Sequence, residues 1–498
     1  MRTYAFGDIP PGLNQDEASI GYDAYATLHY GVDRNGFHFP VHFKTWGAGQ
    51  NALHGYLSMP FILLFGLSSF SVRFVDMVFG VLALFIFYLF VKEISGKNTA
   101  LVATFLLAIS PWHIMLSRWG LETNVFPPIF LLGNFFLIRS LKKNGYLPFS
   151  FFLFAICLYT NCTAFFIVPL FILAASSYLI YHKKIKLKWM LLSFLVLLIF
   201  SLPAFLFIIV NNYQLGSIET PFLSIPQLTA PRWKTTSTIF SDQILEKYPF
   251  HFMVFTNFII NQNDGHISMD IPPYGFIYPL SLPFALLGLI ILFKDWNLRM
   301  FNKCAFVIFW FLLSIVLAGL IFAIGYRINI IFFPLIFFTA VGIIYIKKMD
   351  RSIFFLIIAG YLILFAMFAH EYFTSYPDMV GPPFFESLGD AINHASNITS
   401  GKICVTGQVN MPYVYVLFYR QFDPDKFIST VKYSNPGAEF RGVSSFDRYY
   451  FGLDYCESVT DISAYVFHNS EANKFINGNF AITRFKYYSV ALKLKNTK

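Results

Sequence analysis

The run WMLLSFLVLLIFSLPAFLFIIV at 189–210, directly behind HKKIKLK at 182–188, decides the fold. A bilayer core takes about 20 mostly apolar residues per helix, and this run supplies them without one charge. Its internal Pro203 is no objection, because membrane helices tolerate Pro and Gly. Nine further runs read the same way: roughly 73–91, 98–115, 124–141, 146–161, 164–181, 276–293, 304–323, 329–346 and 352–369. The expected fold class is therefore an all-α polytopic membrane domain of about ten spans.

Composition agrees. Of 498 residues, 56% are hydrophobic and only 13% charged. A soluble domain carries roughly 25% charged residues, so a chain with 63 Phe cannot cover a water-exposed surface of this size. The net charge of +9 does not indicate nucleic acid, because the basic residues form short clusters between apolar runs, as membrane flanks do. No GxxxxGK phosphate loop and no CxxC zinc pair is present. Cys157, Cys162 and Cys304 lie in or beside apolar runs.

The links between runs alternate in chemistry. One set is basic: Lys92 and Lys97; Lys142 and Lys143; Lys183, Lys184, Lys186 and Lys188; Lys294, Arg299 and Lys303; Lys347, Lys348 and Arg351. The other set is nearly free of Lys: 110–123, the tight link near Asn161, the long loop 211–275 and 325–329. The positive-inside rule puts the first set in the cytoplasm. The opening segment 1–72, the loop 211–275 and the chain beyond about 370 then lie outside, flanking a membrane domain at 73–370. Neither a signal peptide nor a span precedes the polar start. Two arrangements fit: a first span is missing from this chain, or a short tail is pushed across.

The segment 371–498 is polar, with period-two stretches KICVTGQ, YVYVLFY and ITRFKYYSVALKL expected as strands and SLGDAINHA expected as a helix. It reads as a soluble extracytoplasmic α/β domain that folds by itself. Cys404 and Cys456 both fall in it, either paired in an oxidising compartment or as two free buried thiols.

Four outer stretches carry ionisable groups. PPGLNQDEASIGYDAYATLHYG at 10–31 places adjacent carboxylates, Asp16 and Glu17, just before an amphipathic segment. A lone DE pair is usually a solvated surface, but here FPVHFKTWGAGQNALHGYLSMPFILLFG follows at 39–66. That stretch includes Lys44 and reads as a helix along the outer membrane face. SPWHIMLSRWGLETN at 110–124 holds His113, Arg118 and Glu122 at a span junction, where ionisable groups are functional candidates by default. Its plain structural reading is an i,i+4 pair between Arg118 and Glu122. NQNDGHISMDIPPYGFIYPL at 261–280 offers Asp264, His266 and Asp270, of which Asp264 and His266 are the candidate ligands of a divalent metal ion. No strict ligand spacing is present. GYRINIIFFP at 325–334 places Arg327 at an outer span end, either snorkelling to headgroups or gripping a phosphate.

The outer DE pair, SVRF at 71–74, SPWHIMLSRWGLETN, the paired spans and the late outer Arg together resemble the GT-C superfamily of membrane glycosyltransferases. Over residues 8–370 the chain is similar to the bacterial branch related to protein O-mannosyltransferases and to the aminoarabinose transferase of lipid A. The resemblance implies a polyprenyl-phosphate sugar donor and transfer on the outer membrane face. It also implies a base corresponding to Asp16 and a second outer acid corresponding to Glu122. Family members usually begin with a span before the DE loop and often carry Lys-Pro late in that loop, where this chain reads GQNALHG.

The function expected is inverting hexosyl or pentosyl transfer from a lipid-phosphate-linked sugar to a hydroxyl of a lipid, glycan or protein. Such a reaction needs a base for the hydroxyl and cations for the developing phosphate charge. Asp16 and Glu17 are candidates for the first need; Lys44, Arg118 and Arg327, with His113 as a further substrate contact, serve the second. The rival from another class is a transporter or flippase of a lipid-linked saccharide. That class would carry ionisable residues or broken helices deep in the spans and an internal repeat.

Overall fold

The structure, a computed structural model, describes residues 1–46, 48–231, 244–261, 265, 268–294, 301–438, 440–476 and 478–494. It divides into two compact units. One comprises 1–4, 75–208 and 232–376; the other comprises 5–74, 209–231 and 377–498.

The first unit is helical. Every apolar run read from the sequence is a helix: Ser69–Ser95, Lys97–Ile109, Phe126–Ser140, Leu147–Cys157, Ala164–Tyr181, Leu187–Tyr213, Ser281–Lys294, Phe301–Leu320, Phe332–Met349 and Arg351–Thr374. Among the described residues, six are long and apolar enough to cross a membrane. The other four hold 11 to 15 residues, which at 1.5 Å per residue is about 16–22 Å, short of a ~30 Å core. These apolar helices thus comprise six clear spans and four shorter ones, and the cause of the shortness is local. Helix Lys97–Ile109 stops because Ser110 adopts an extended conformation (φ −62°, ψ 125°), which a following Pro enforces by steric clash. The chain then restarts as the short helix Pro111–Leu116. Helix Leu147–Cys157 ends at a turn in which the Asn161 side chain accepts from the Thr163 amide at 2.7 Å.

Close packing inside this unit uses small residues. A Cβ on Gly288 would run into the Phe338 carbonyl, and one on Gly342 into the Phe284 carbonyl. The helices that carry them therefore approach backbone to backbone, the usual way for membrane helices to gain contact. The segment 211–275, read as a long loop between spans, contains a helix at Ile244–Asn261.

The second unit holds a seven-stranded mixed sheet in the order 480–484, 488–493, 462–468, 402–405, 449–451, 443–446, 432–433. Strand Lys402–Val405 runs parallel to both its neighbours, and the remaining pairs are antiparallel. Cys404 and Cys456 are joined as a disulfide. YVYVLFY, read as a strand, is the helix Pro412–Arg420. Tyr413 to Phe418 are all buried, so the alternation does not mark a half-exposed strand, and Pro412 sits in the helix's first turn.

Segments 5–74 and 377–498 share one core. Leu13, Ile20, Tyr22 and Phe43 pack in the same cluster as Leu388, Val414, Leu417 and Val490. Gly21 is where helix Gln15–Tyr30 meets helix Pro412–Arg420: a Cβ there would lie 2.7 Å from both Phe418 and Val72. The Tyr22 hydroxyl donates to the Phe422 carbonyl at 2.6 Å. The stretch 39–66, read as one interface helix, is a hairpin of His42–Phe43 with Gln50–Asn51 followed by helix Leu53–Phe65. Only the end of that helix leaves large apolar groups exposed, at Leu63, Leu64 and Phe65.

Candidate active site

In the second unit the DE pair lies in the first turn of helix Gln15–Tyr30. Asn14 caps it: its side chain accepts from the Asp16 amide at 2.9 Å, and its own amide donates to Glu17 Oε2 at 2.9 Å. Negative groups are favoured at this end of a helix by the aligned peptide dipoles. The two acids differ sharply in surroundings. Glu17 is fully buried and ion-paired with Arg73 at 2.7 Å. Arg73 spends all five guanidinium donors here. Nε reaches Glu17 Oε1 (2.7 Å), Nη1 the carbonyls of Gly7 (3.2 Å) and Pro10 (2.7 Å), and Nη2 Gly12 O and Glu17 Oε2 (both 2.9 Å). Asp16 is half-buried. Its carbonyl accepts from Gln50 Nε2 at 3.4 Å, which ties it to the 42–51 hairpin.

Three residues of this unit carry signals the sequence reading did not use. Tyr415 is buried, and its hydroxyl has no hydrogen-bond partner among the described residues. Burial raises its pKa, with Tyr419, Asp16 and Glu17 adding to the effect, so it sits within electrostatic reach of the DE pair. Asp33 is fully buried and pushed up to about 7 by burial first and by Asp23 second. Asp23 itself is held by Arg34 at 2.7 Å. Arg441 is bonded to Asn35, close to Lys44. Sequence distance hides the last of these: 406 positions separate Arg441 from Asn35.

In the first unit the loops that hold Arg118, Glu122 and Arg327 meet. Asn329 donates to the Thr123 carbonyl at 3.1 Å, and the Trp119 and Tyr326 rings lie 6.2 Å apart, edge to face. Glu122 is buried at the start of the turn Glu122–Asn124. Arg118 is buried too. It donates to the carbonyls of Met1 (2.6 Å) and Tyr4 (2.8 Å) and lies over the rings of Tyr372 and Phe373. Arg327 is half-buried over its neighbour Tyr326 at 5.7 Å and has no ion pair among the described residues. His113 is buried, its Nδ1 against Arg2 at 2.6 Å. It lines a cavity of about 20 Å³ with Asp76, Ser117, Asn124 and Asn329, room for one water rather than a sugar. The candidate ligands Asp264 and His266 lie outside the described residues. Among the described residues no group of three or more His, Cys, Asp or Glu could hold a metal ion, and no step is derived through one.

Residues 52–207 match the family model of dolichyl-phosphate-mannose-protein mannosyltransferases. A search of curated proteins finds no match. The fold is that of ArnT from Cupriavidus metallidurans bound to undecaprenyl phosphate, with a TM-score of 0.59 at 11% identity over 98% of this chain and 95% of that one. The family match and the shared fold both support the resemblance to the GT-C superfamily read from the sequence. The apo crystal structure of the same ArnT matches at a TM-score of 0.56 and 12% identity, over 97% of this chain and 94% of that one. Its apolar helices, six of them long enough to cross a membrane among the described residues, support a multi-pass membrane protein.

Proposed function

We propose that this chain is a GT-C enzyme that moves a hexosyl or pentosyl group from a polyprenyl-phosphate donor to an acceptor hydroxyl at the extracytoplasmic face, with inversion and with Asp16 as general base. The observation that carries the assignment is the contrast within the DE pair. Glu17 is fully buried against Arg73, whereas Asp16 is half-buried on a capped helix end. A base has to meet its substrate, and only the partly exposed acid can. In the proposed step the acceptor oxygen bonds to the anomeric carbon as its proton passes to the Asp16 carboxylate. The bond from that carbon to the phosphate oxygen breaks, and polyprenyl phosphate leaves with the electron pair. One displacement from the face opposite the leaving group inverts the centre.

Arg327, half-buried and without an ion-pair partner among the described residues, suits the developing phosphate charge, because a guanidinium can hold two phosphate oxygens at once. Arg118 already serves two backbone carbonyls, which favours a role in fixing its loop. A lipid-phosphate donor is supported by the undecaprenyl phosphate bound in the ArnT structure. The extracytoplasmic placement is supported by the alternation of basic links and by the disulfide of Cys404 with Cys456, since disulfides persist in oxidising compartments.

The test is release of polyprenyl phosphate by purified protein given a panel of polyprenyl-phosphate sugars. Asp16→Asn keeps the shape and removes the basicity, and loss of a general base costs about 100- to 10,000-fold. Near-normal turnover of a normally melting Asp16→Asn protein would reject Asp16 as the base and direct attention to Glu122.

A further inference from the structure

The second unit gathers two cations that have no ion-pair partner among the described residues. Lys44 follows the hairpin pair Phe43–Gln50, and Arg441 comes from the far end of the chain. Asn35 bridges them: its Nδ2 donates to the Lys44 carbonyl at 2.9 Å, and its Oδ1 accepts from Arg441 Nη2 at 3.1 Å. The Arg441 amide also donates to the Trp46 carbonyl at 2.8 Å. Each cation has an aromatic floor, Phe37 at 5.9 Å under Lys44 and Tyr433 at 4.9 Å under Arg441. Neither has an ion pair among the described residues, and Arg441 Nε is buried with no hydrogen-bond partner among them.

The acids nearby do not relieve this. Asp23 is consumed by Arg34. Asp33 spends Oδ1 on the amides of Asn35 and Phe37, and burial with Asp23 beside it drives it toward its neutral form. Lys44 feels the result: burial and then Arg441 lower its pKa, and the opposing pull of Asp33 does not offset them. Holding two like charges together costs free energy that a solvated surface would avoid by letting the side chains diverge. A bound anion removes that cost.

We infer that Lys44 and Arg441 form a subsite for a carboxylate or phosphate group carried by the acceptor saccharide. The inference rests on the transferase reading above. It moves Lys44 away from the donor phosphate, where the sequence put it. The hairpin whose connecting loop begins at Lys44 also contains Gln50, whose side chain bonds the Asp16 carbonyl. The subsite is thus built on the same element as the base. The donor phosphate is tethered to a lipid chain, and Arg327 at a span end is the cation suited to it. A soluble-faced pair completed by the C-terminal segment suits the other substrate, and it gives that segment a role in acceptor choice.

The test uses full-length protein in nanodiscs and needs no turnover. Binding of hexyl glucuronide and of hexyl glucoside 6-phosphate is compared with that of neutral hexyl glucoside. The anionic probes should bind about tenfold tighter or more, the effect of one charge-assisted contact. Lys44→Gln and Arg441→Gln should each remove most of that preference, and Arg441→Lys should keep part of it. Lys426→Gln, which alters a lysine already paired with Asp447, should leave it unchanged. Equal binding of charged and neutral probes, or a preference that survives both Lys44→Gln and Arg441→Gln in normally melting protein, overturns the subsite. Displacement of the glucuronide by farnesyl phosphate would assign the pair to the donor and overturn the acceptor reading. A preference that persists in a protein releasing no polyprenyl phosphate from any donor would sink the transferase reading alone.

Discussion

Glu17 and Arg73 are the sharpest place to separate structure from chemistry. Both side chains are 0% exposed, and the ion pair is embedded in five hydrogen bonds from one guanidinium. Removing one partner of such a pair leaves a buried charge without compensation, which costs about 3–5 kcal/mol. Glu17→Gln keeps the outline and should cost in that range. Arg73→Met should cost more, because the carbonyls of Gly7, Pro10 and Gly12 then lose their donor as well. For a unit of this size each kcal/mol moves the midpoint by roughly 2–4 °C, so Glu17→Gln should melt roughly 6–20 °C lower. The double variant Glu17→Met/Arg73→Met should be less damaged than the sum of the single ones, since replacing both ions leaves no isolated charge. The assay is thermal unfolding of purified protein followed through the second unit's tryptophan and tyrosine signals, with polyprenyl-phosphate release measured below the transition. A Glu17→Gln protein that melts within a degree or two of wild type yet loses turnover would refute this reasoning and make Glu17 a group of the reaction itself.

Four further outcomes are expected. In a background without Cys157, Cys162 and Cys304, a cysteine at Asn397 should react with an impermeant thiol reagent on intact cells and one at His182 should not; the opposite pattern would invert the topology. Residues 372–498 expressed alone should aggregate or lack a cooperative melt, because their core is completed by Leu13, Ile20, Tyr22 and Phe43; a soluble, cooperatively melting product would show that the sheet stands without them. Arg327→Lys should weaken donor binding at normal expression, since an ammonium is a point charge where a guanidinium is a fork, whereas lower yield with unchanged donor affinity would make Arg327 structural. Asp33 is raised from its ordinary value to about 7, so the folded state holds a proton that the unfolded chain releases near pH 4; stability should fall as pH rises from about 4 to 7, and Asp33→Asn should flatten that part of the melting-temperature profile.

The apolar runs were legible in the sequence as membrane helices, but not which of them stop short. Apolar runs are visible because hydrocarbon admits little else. Where a run ends in a turn, as at Ser110–Pro111, composition does not change while the backbone does. The strands at 402–405, 480–484 and 488–493 were legible as alternating segments, and the helix Leu388–Ile398 as a helix. The helix Pro412–Arg420 was not, because a helix buried on all sides and a buried strand share the same composition. Part of the candidate site was legible as acids and cations on outer links. Its partnerships were not, because they join positions far apart in the chain: Arg73 to Glu17 across 56 residues, and Arg441 to Asn35 across 406. Nor could the sequence show that 5–74 and 377–498 build one core, since each segment looks complete by its own pattern.

That shared core bears on why the two acids stand side by side. Successive residues of an α-helix point about 100° apart, so adjacent carboxylates in a first turn cannot share one environment. Once Glu17 is turned inward to Arg73, Asp16 is turned away from it, and the observed burial follows that division. The inward acid has two holds on the helix: the Asn14 amide fixes where the helix starts, and Arg73 fixes its rotation about its own axis. Arg73 in turn grips the backbone of residues 7–12 that leads into that start. On this argument SVRF at 71–74 and the DE pair belong together for a mechanical reason: the arginine of the one holds the glutamate of the other, and the aspartate is aimed as a consequence. A base aimed by a rigid neighbour loses little freedom when the acceptor hydroxyl arrives, which is how positioning lowers a barrier. Under the proposed function, Arg73 is then a positioning residue. Its conservative replacement Arg73→Lys, with three donors where five are used, should lower turnover through Asp16 even under conditions where the protein stays folded.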